Sequence, residues 1–498
     1  MSDRPNVLVL VFDTLRADAP SCYDGAFSVE TPAFDRVAAR GTLFESAFAV
    51  GPWTPPSHGA LFSGRYPNDT GFDGAWPTMP ESVPLLAEWF ADRGYRTVGI
   101  PGPAKMGSAT GLDRGFEEYY EVYEEVAERP SLAYLRQFAT DPLVRRDGVR
   151  LVGEGNDYFT EIKFEKLREW LGDSPEPFFA MANLTTVHAP YDPPRPYKQE
   201  ATPELSRPRF GLVEELLDRL GSSNSPCEFD DPAVDDDRLF RAADGAGATS
   251  IALRYFEDPE SLSPAELAVL REWYGASLRY LDDRLGAFLD WLDRAGLADD
   301  TVVVLTSDHG EAFGEHDALY HGNFLYDEIT RVPLVVAGPG VPAGERRTDL
   351  ASHVDLFATL CDICGLDAPE TEGASLFGDF EREAVFAAEA PSDPRDRDAA
   401  SEVSEATLRE FAVGRKSIRT DEYRFESRSD GTEILYELPG ESVVPDADES
   451  LPEVVADLRE RLVETLGAEF DDAGSAGAAE AEYTEGVERN LRELGYLE

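Results

Sequence analysis

Short apolar runs recur along this chain, and amphipathic helical patterns separate them. Runs with the length and composition of buried strands cover residues 6–12, 96–100, 177–184, 301–307 and 332–338. Helical periodicity covers 80–93, 157–171 and 265–296. Because strands alternate with helices, the sequence predicts an α/β fold with a mostly parallel central sheet between two layers of helices. In such folds the functional site lies beyond the carboxyl ends of the strands.

Two regions depart from this alternation. Residues 190–262 are rich in Pro, Asp, Glu and Ser, which is typical of a surface segment beside the site. After residue 370 the sequence alternates like a β-meander, with a turn at Asp430-Gly431 and a helix after it. We therefore predict a catalytic domain over 1–370 that includes the variable segment 190–262, and a small α+β subdomain over 371–470. A linker and a terminal helix are predicted over 471–498.

The charge of the chain is strongly negative: 45 basic residues stand against 98 acidic ones, a net charge of −53. Such a surface repels nucleic acid and anionic membranes, so neither is an expected partner. Molar salt shortens the Debye length to about 3 Å and relieves the self-repulsion. The composition, with only five lysines, therefore predicts a halophilic protein of haloarchaeal type. An acidic protein from a mesophile is the alternative.

The apolar segments bear on where the protein is located and on what its cysteines do. No segment approaches the roughly 20 apolar residues of a membrane span, and "MSDRPNVLVLVFD" does not resemble a secretion signal, so we expect a cytoplasmic protein. Cys361 and Cys364 form a CxxC on the apolar side of a helix that Gly365 ends. Packing in the core is favoured over metal or redox work for this pair.

Acidic and histidine residues follow the predicted strands. Asp13 ends the first strand, His188 follows the third, and Asp308 and His309 end the fourth. Strand ends converge on one edge of a parallel sheet, so these side chains can meet there. Carboxylate oxygens and imidazole nitrogens suit a divalent cation, with Zn²⁺ or Mn²⁺ favoured over Ca²⁺ if a histidine is a ligand. The identity of the metal, Mg²⁺ included, stays open.

The stretch "WTPPSHGALFSG" has the pattern of a helix start, with Thr54 as the N-cap and Pro55 at the first helical position. A helix N-terminus offers free N–H groups to an anion. The hydroxyl of Thr54 therefore lies where an anionic substrate group could bind.

Segments from residue 6 to the end, among them "NVLVLVFDTLRAD", "WTPPSHGALFSGRYP", "LTSDHGEAFGEH" and "LRELGYLE", together resemble the sulfatase family of the alkaline phosphatase superfamily. The resemblance implies an alkaline-phosphatase-like sandwich with a large mixed sheet and a smaller C-terminal sheet subdomain. It also implies metal-assisted attack on a sulfate or phosphate ester.

The resemblance assigns roles to individual residues. Asp13, Asp308 and His309 match metal ligands, and Thr54 matches the nucleophile, which also binds the metal. His188 matches the histidine that contacts the charged group of the substrate, and His321 is a second candidate for stabilising the anion or protonating the leaving oxygen. Further candidates for contacts with the substrate are His58, Lys105 and His316. An exposed position without a function is the alternative for His58 and Lys105.

Departures from the sulfatase pattern change the expected chemistry. Sulfatases need a Cys or Ser that is oxidised to an aldehyde, with an arginine four residues later, whereas this chain has Thr54 and His58. No formylglycine is therefore expected. Phosphotransfer members of the superfamily use an unmodified threonine, and in the phosphoethanolamine transferases a histidine follows the Asp-His pair at the distance of His321 from His309.

The sequence thus predicts a metal-dependent hydrolase or transferase that cleaves a phosphate ester or diester through a covalent intermediate on Thr54. A sulfuric ester hydrolase and a non-catalytic, substrate-binding scaffold are the alternatives. The expected partner is a small-molecule or glycan ester, and the oligomeric state stays open.

Overall fold

The computed structural model describes residues 4–73, 77–102, 104–122, 144–146, 149–151, 159–173, 177–189, 191–202, 205–206, 228–229, 234, 239, 248–379 and 381–470. Much of the predicted surface segment 190–262 lies outside these residues. The predicted linker and terminal helix over 471–498 lie entirely outside them. The domain boundaries of the sequence analysis therefore stay predictions.

One large sheet forms the centre of the molecule. Its strands are β1 (Asn6–Phe12), β2 (Gly41–Phe48), β3 (Arg96–Ile100), β4 (Glu118–Tyr119), β5 (Phe178–Leu184), β6 (Thr301–Ser307), β7 (Arg331–Ala337) and β8 (Glu345–Ser352). Their order across the sheet is β8-β2-β7-β6-β1-β5-β3-β4. Only β7 runs antiparallel to its two neighbours, and the other pairs are parallel. The predicted mixed, mostly parallel sheet is confirmed.

Both faces of this sheet are covered. The α-helices of the described residues are α1 (Pro32–Arg40), α2 (Thr54–Ser63), α3 (Pro67–Thr70), α4 (Leu86–Ala91), α5 (Thr160–Asp173), α6 (Arg195–Ala201), α7 (Ala248–Glu257), α8 (Pro264–Ala295), α9 (Asp327–Thr330), α10 (Asp355–Ile363), α11 (Glu405–Ala412), α12 (Ala447–Ser450) and α13 (Pro452–Leu466). Along β1, Leu8 and Leu10 pack into the core with α8, while Val7 and Val9 pack into the core with α2 and α10. Successive side chains of a strand point to opposite faces, which is why a wholly apolar strand needs two layers of helices.

A second, antiparallel sheet makes up the C-terminal subdomain, as predicted. Its strands, in spatial and chain order, are β9 (Val385–Glu389), β10 (Arg415–Arg419), β11 (Tyr423–Arg428), β12 (Glu433–Glu437) and β13 (Ser442–Val443). The turn between β11 and β12 contains Gly431, whose φ of 87° explains the glycine. Ile418 and Phe425 of this sheet share a core with α13 and with Ala60 of α2. The subdomain thus packs directly behind the helix that carries Thr54.

The register of the central strands sets the position of the site. Phe12, the last residue of β1, pairs with Ser307 of β6 on one side and with Leu184 of β5 on the other. All three strands therefore end at the same level of one sheet edge. The residues that follow them begin the functional site.

The predictions for the CxxC pair and for membrane-spanning segments can also be compared with the structure. Cys361 and Cys364 are buried in the core beside α10, as predicted from their apolar positions. In the described part of the chain, no helix combines the length and hydropathy that crossing a membrane requires.

A carboxylate on α8 holds the start of α1. Thr31 precedes α1 but makes no side-chain cap, and Asp282 instead accepts hydrogen bonds from the backbone N–H groups of Ala33 (2.9 Å) and Phe34 (3.0 Å). We expect Asp282→Ala to lower the free energy of unfolding by about 1–2 kcal/mol, because two buried amides lose their acceptor. Denaturant unfolding in a fixed KCl concentration measures this change. Unchanged stability would contradict it.

Candidate active site

Three side chains at the sheet edge present ligand atoms to one another. His309 Nε2 lies 3.7 Å from Asp13 Oδ1 and 3.5 Å from Asp308 Oδ2. All three residues are fully buried, and one ligand atom from each lies within 4.8 Å of those from the other two. The side chains of Asp13, Asp308 and His309 therefore lie together at the sheet edge, as predicted.

Backbone amides determine which oxygen of Asp308 faces the group. Oδ1 accepts hydrogen bonds from the N–H groups of Thr14 (3.2 Å) and His309 (2.9 Å). Thr14 donates from a left-handed backbone with φ of 63°, a conformation that costs a non-glycine residue roughly 1–3 kcal/mol. Oδ2 is left to face His309.

The tautomer of His309 follows from its backbone contact. Nδ1 lies 3.0 Å from the carbonyl oxygen of Gly310, and because a carbonyl only accepts, Nδ1 carries the proton. Nε2 then presents a lone pair to the two carboxylates, as a metal ligand requires. Burial lowers the pKa of His309 to about 3, so the ring is neutral at neutral pH.

These residues fit a divalent cation. Within the described residues, both carboxylate oxygens of Asp13, Asp308 Oδ2 and His309 Nε2 are buried without a hydrogen-bond partner. Burial and the Asp308 carboxylate raise the pKa of Asp13 well above its usual range, and Lys163 opposes this shift. Buried acceptors without donors are costly, and a cation is the partner that would satisfy all of them at once.

Thr54 lies next to this group, at the start of α2. His58, one turn later, joins the two: its Nδ1 lies 3.0 Å from the Thr54 carbonyl oxygen and 3.6 Å from Asp308 Oδ2. Thr54 is fully buried. The helix begins at Thr54 with Trp53 as its N-cap, so the predicted cap position is wrong by one residue; extended backbone at Trp53, with φ of −159°, precedes the first helical turn.

His58 is buried, so the alternative of an exposed position is wrong. Its Nε2 lies 3.2 Å from the side-chain nitrogen of Asn183, which donates, and Nδ1–H therefore donates to the Thr54 carbonyl. Burial lowers the pKa of His58. The neutral imidazole thus stabilises the first turn of α2 through its hydrogen bond to the Thr54 carbonyl oxygen. Contact between His58 and substrate stays a prediction.

The two histidines predicted to assist catalysis lie together. The rings of His188 and His321 are 5.1 Å apart, and the ring of His321 is 4.4 Å from that of His309. His188 Nδ1 donates to the Ala189 carbonyl oxygen at 2.6 Å, so its Nε2 carries the lone pair. Burial lowers the pKa of both His188 and His321 to about 3.

The last two residues predicted to contact substrate, Lys105 and His316, lie in different surroundings. Lys105 is buried with its Nζ 4.4 Å from the centre of the Trp53 ring, so the alternative of a surface lysine is wrong. His316 stacks on Tyr326, with its Nε2 3.6 Å from Glu328 Oε2 and 3.7 Å from Glu441 Oε2. That second group joins the C-terminal subdomain to the catalytic domain. Contact between His316 and substrate stays a prediction.

Three buried polar residues of this site were not predicted from the sequence. Glu311 Oε1 lies 2.8 Å from His321 Nδ1, Lys163 donates to the Asn183 carbonyl oxygen at 3.0 Å, and Asn183 contacts His58. Glu311 could have been found, because it lies two residues after His309 in a segment already singled out. Lys163 and Asn183 carry no such signal, since one lies in an amphipathic helix and the other inside a strand.

The mixed sheet between helices, the antiparallel subdomain and the carboxylate–imidazole group at the strand ends define a hydrolase of alkaline-phosphatase type. The family model described as Sulfatase matches residues 5–366, and the chain belongs to the sulfatase family.

Known proteins support this assignment. An N-acetylglucosamine-6-O-sulfatase of Bacteroides thetaiotaomicron is 25% identical over 431 residues, covering 76% of this chain and 71% of the other. The human iduronate 2-sulfatase is 26% identical over 489 residues, covering 85% of each. The solved structure of a phosphonate monoester hydrolase of Agrobacterium radiobacter is similar in fold, with a TM-score of 0.67 and 23% identity, covering 93% of this chain and 95% of the other.

Proposed function

We propose that this protein is a metal-dependent hydrolase or transferase that cleaves a phosphate ester or diester through a covalent intermediate on unmodified Thr54. The observation that carries the proposal is the buried threonine at the first turn of α2, one histidine away from the Asp13, Asp308 and His309 group. A threonine cannot give the aldehyde that a cysteine or serine gives. The phosphonate monoester hydrolase with a similar fold agrees with chemistry at phosphorus.

The residues that would hold the cation are Asp13, Thr54, Asp308 and His309. When bound, the cation would neutralise the ester oxygens and favour the ionised form of a hydroxyl. The Thr54 Oγ–P bond forms as the bond from phosphorus to the leaving oxygen breaks, and water or an alcohol then takes the phosphoryl group from Thr54. His188 and His321 lie beside the cluster as the groups that stabilise the anion and carry protons.

A sulfate ester is the second candidate substrate. Its support is the family itself, together with relatives named as an N-acetylglucosamine-6-O-sulfatase and an iduronate 2-sulfatase. In either case we propose a small-molecule or glycan ester as the substrate. The net charge of −53 supports assays in multimolar KCl, as for a salt-adapted cytoplasmic protein.

Substrate preference tests the proposal directly. We expect the purified protein to cleave an aryl phosphate diester or phosphonate monoester with a kcat/KM at least roughly tenfold above that for the matching aryl sulfate, a difference of about 1.4 kcal/mol in transition-state binding. The assay compares Mn²⁺, Zn²⁺, Mg²⁺ and Ca²⁺ in KCl, and intact-mass spectrometry checks that Thr54 is unmodified. A higher kcat/KM on the sulfate would overturn the preference for phosphorus. Metal analysis that finds no bound metal, together with no loss of activity in Thr54→Ala, would favour a non-catalytic scaffold.

We expect substrate binding to depend on pH because of the lowered pKa of Lys105. Burial and then Arg397 lower the pKa of Lys105 to about 7, while Glu389 opposes the shift; Lys105 also lowers the pKa of His321. If Lys105 binds the anionic ester, its charge and the binding are lost as pH rises through about 7, so KM rises. Lys105→Arg stays charged, and we expect its KM to stay flat between about pH 6 and pH 8. Equal pH profiles of KM in both proteins would contradict this role.

A further inference from the structure

Glu311 is a buried carboxylate whose two oxygens have different partners. Oε1 lies 2.8 Å from His321 Nδ1, and Oε2 accepts a hydrogen bond of 2.8 Å from the Tyr191 hydroxyl. The side chain has no exposed surface. Burying a carboxylate costs free energy unless it is hydrogen-bonded. The two hydrogen bonds of Glu311 offset this cost.

The backbone of Glu311 is held as firmly as its side chain. Its N–H donates to the Glu328 carbonyl oxygen at 3.0 Å, and its own carbonyl accepts from Arg16 Nη1 at 3.0 Å. Tyr191 packs among aromatic rings, with Phe313 at 5.5 Å and Tyr274 at 5.9 Å between ring centres. The oxygen that faces His321 therefore has little freedom to move.

This contact determines which nitrogen of His321 carries the proton. Burial raises the pKa of Glu311 to about 7, so the carboxylate is ionised above that pH. An ionised carboxylate only accepts, so Nδ1–H of His321 then donates to Glu311 and Nε2 keeps the lone pair. The residue after His321, Gly322, donates a backbone hydrogen bond to the Pro52 carbonyl oxygen at 3.1 Å. Pro52 lies two residues before Thr54. The ring thus lies beside the metal-ligand cluster, and the backbone that follows it is hydrogen-bonded to the segment before α2.

We propose that Glu311 is a positioning residue: it fixes the ring orientation and the tautomer of His321, so that Nε2 faces the reacting ester. The inference rests on the proposed function for what Nε2 does. In the first half-reaction the Thr54 Oγ–H proton moves to Nε2 as the Oγ–P bond forms, and Nε2 gives that proton to the leaving oxygen as its bond to phosphorus breaks. In transfer from Thr54, the oxygen of water bonds to phosphorus, the Thr54 Oγ–P bond breaks, and the water proton passes through Nε2 to Thr54 Oγ.

The tautomer is measured without any substrate. The chain has six histidines, so ¹⁵N-histidine labelling of the full-length protein gives few ring signals, and a His321→Gln variant assigns those of residue 321. At about pH 9, above the pKa of about 7 that burial gives Glu311, we expect the Nδ1–H tautomer in the wild type. Glu311→Met removes the acceptor and shifts His321 toward the Nε2–H tautomer, whereas Glu311→Gln keeps an acceptor oxygen and largely restores Nδ1–H.

Kinetics supply the second readout. We expect Glu311→Met to lower kcat on a phenyl ester by roughly 10²-fold with a much smaller change in KM, and to lower it less on a 4-nitrophenyl ester, whose leaving oxygen needs no proton. Glu311→Gln recovers part of this loss. Glu433→Gln is the control, since its carboxylate pairs with Arg459 in the C-terminal subdomain.

The outcomes separate this inference from the proposed function. An Nε2–H tautomer in the wild type, or an unchanged tautomer in Glu311→Met, overturns the positioning role. Equal losses on both esters also overturn it. Activity on sulfate esters alone would overturn the proposed substrate while the tautomer result still stands, and if Glu311→Met fails to fold, the wild-type spectrum and Glu311→Gln decide the question.

Discussion

Thr54→Val is expected to reduce turnover by roughly 10⁴-fold or more, because it removes the nucleophile and leaves a side chain of the same shape. Valine tolerates the first turn of a helix, and the contact of His58 with residue 54 uses the backbone carbonyl, which the substitution keeps. The loss should therefore fall on kcat and not on folding. Steady-state kinetics measure it, and mass spectrometry of quenched wild-type protein should find the phosphoryl group on the peptide that contains Thr54.

Two further variants make the test specific to this hydroxyl. Ser57→Ala removes another buried hydroxyl of α2, which donates to the Gly51 carbonyl oxygen at 3.1 Å, and we expect it to keep most of the activity. Thr54→Ser keeps a nucleophile and should keep part of it. A Thr54→Val protein that turns over as fast as the Ser57→Ala protein would exclude covalent catalysis by Thr54.

The central strands could be predicted from the sequence because they are buried on both faces. Such strands are continuous apolar runs, and the five predicted ranges agree with β1, β3, β5, β6 and β7 to within one residue. The strands β2, β4 and β8 were not predicted. Glu45 and Ser46 interrupt the apolar pattern of β2, and β8 is an edge strand with charged residues on its exposed half.

Helix boundaries depended on proline. The pattern over 80–93 predicted a helix, but the structure places α4 at Leu86–Ala91, because Pro84 lies just before it and cannot sit inside a helix. The start of α8 shows the opposite case, since Pro264 occupies the first position after the Ser263 cap.

The metal-ligand candidates could be predicted because each lies at the end of a recognisable strand. Asp13, Asp308 and His309 needed only the rule that parallel strands end at one edge. Glu311 and Lys163 could not be assigned in this way, because their roles depend on which side chain the packed fold brings to them. A lysine in an amphipathic helix is usually on the solvated face, and only the tertiary structure buries Lys163 beside Asp13.

Asp13→Asn is expected to remove the stabilisation that a divalent cation gives the wild type. Both oxygens of Asp13 lie buried without a hydrogen-bond partner among the described residues, so the amide keeps the shape but loses the charge that binds the cation. At a metal concentration of about 100 times the wild-type Kd, binding adds about 2.7 kcal/mol to the free energy of unfolding. A roughly 100-fold or greater loss of affinity would leave the Asp13→Asn protein with little of that gain.

Thermal or denaturant unfolding with EDTA and with metal measures both states. With EDTA, we expect the variant to be no less stable than the wild type, because burial and the nearby Asp308 disfavour the charge on Asp13. Asp282→Asn is the matched control: it changes a buried carboxylate that caps α1, so it should lower stability in both conditions and keep the full gain from metal. Equal gains in Asp13→Asn and in the control would exclude Asp13 as a ligand.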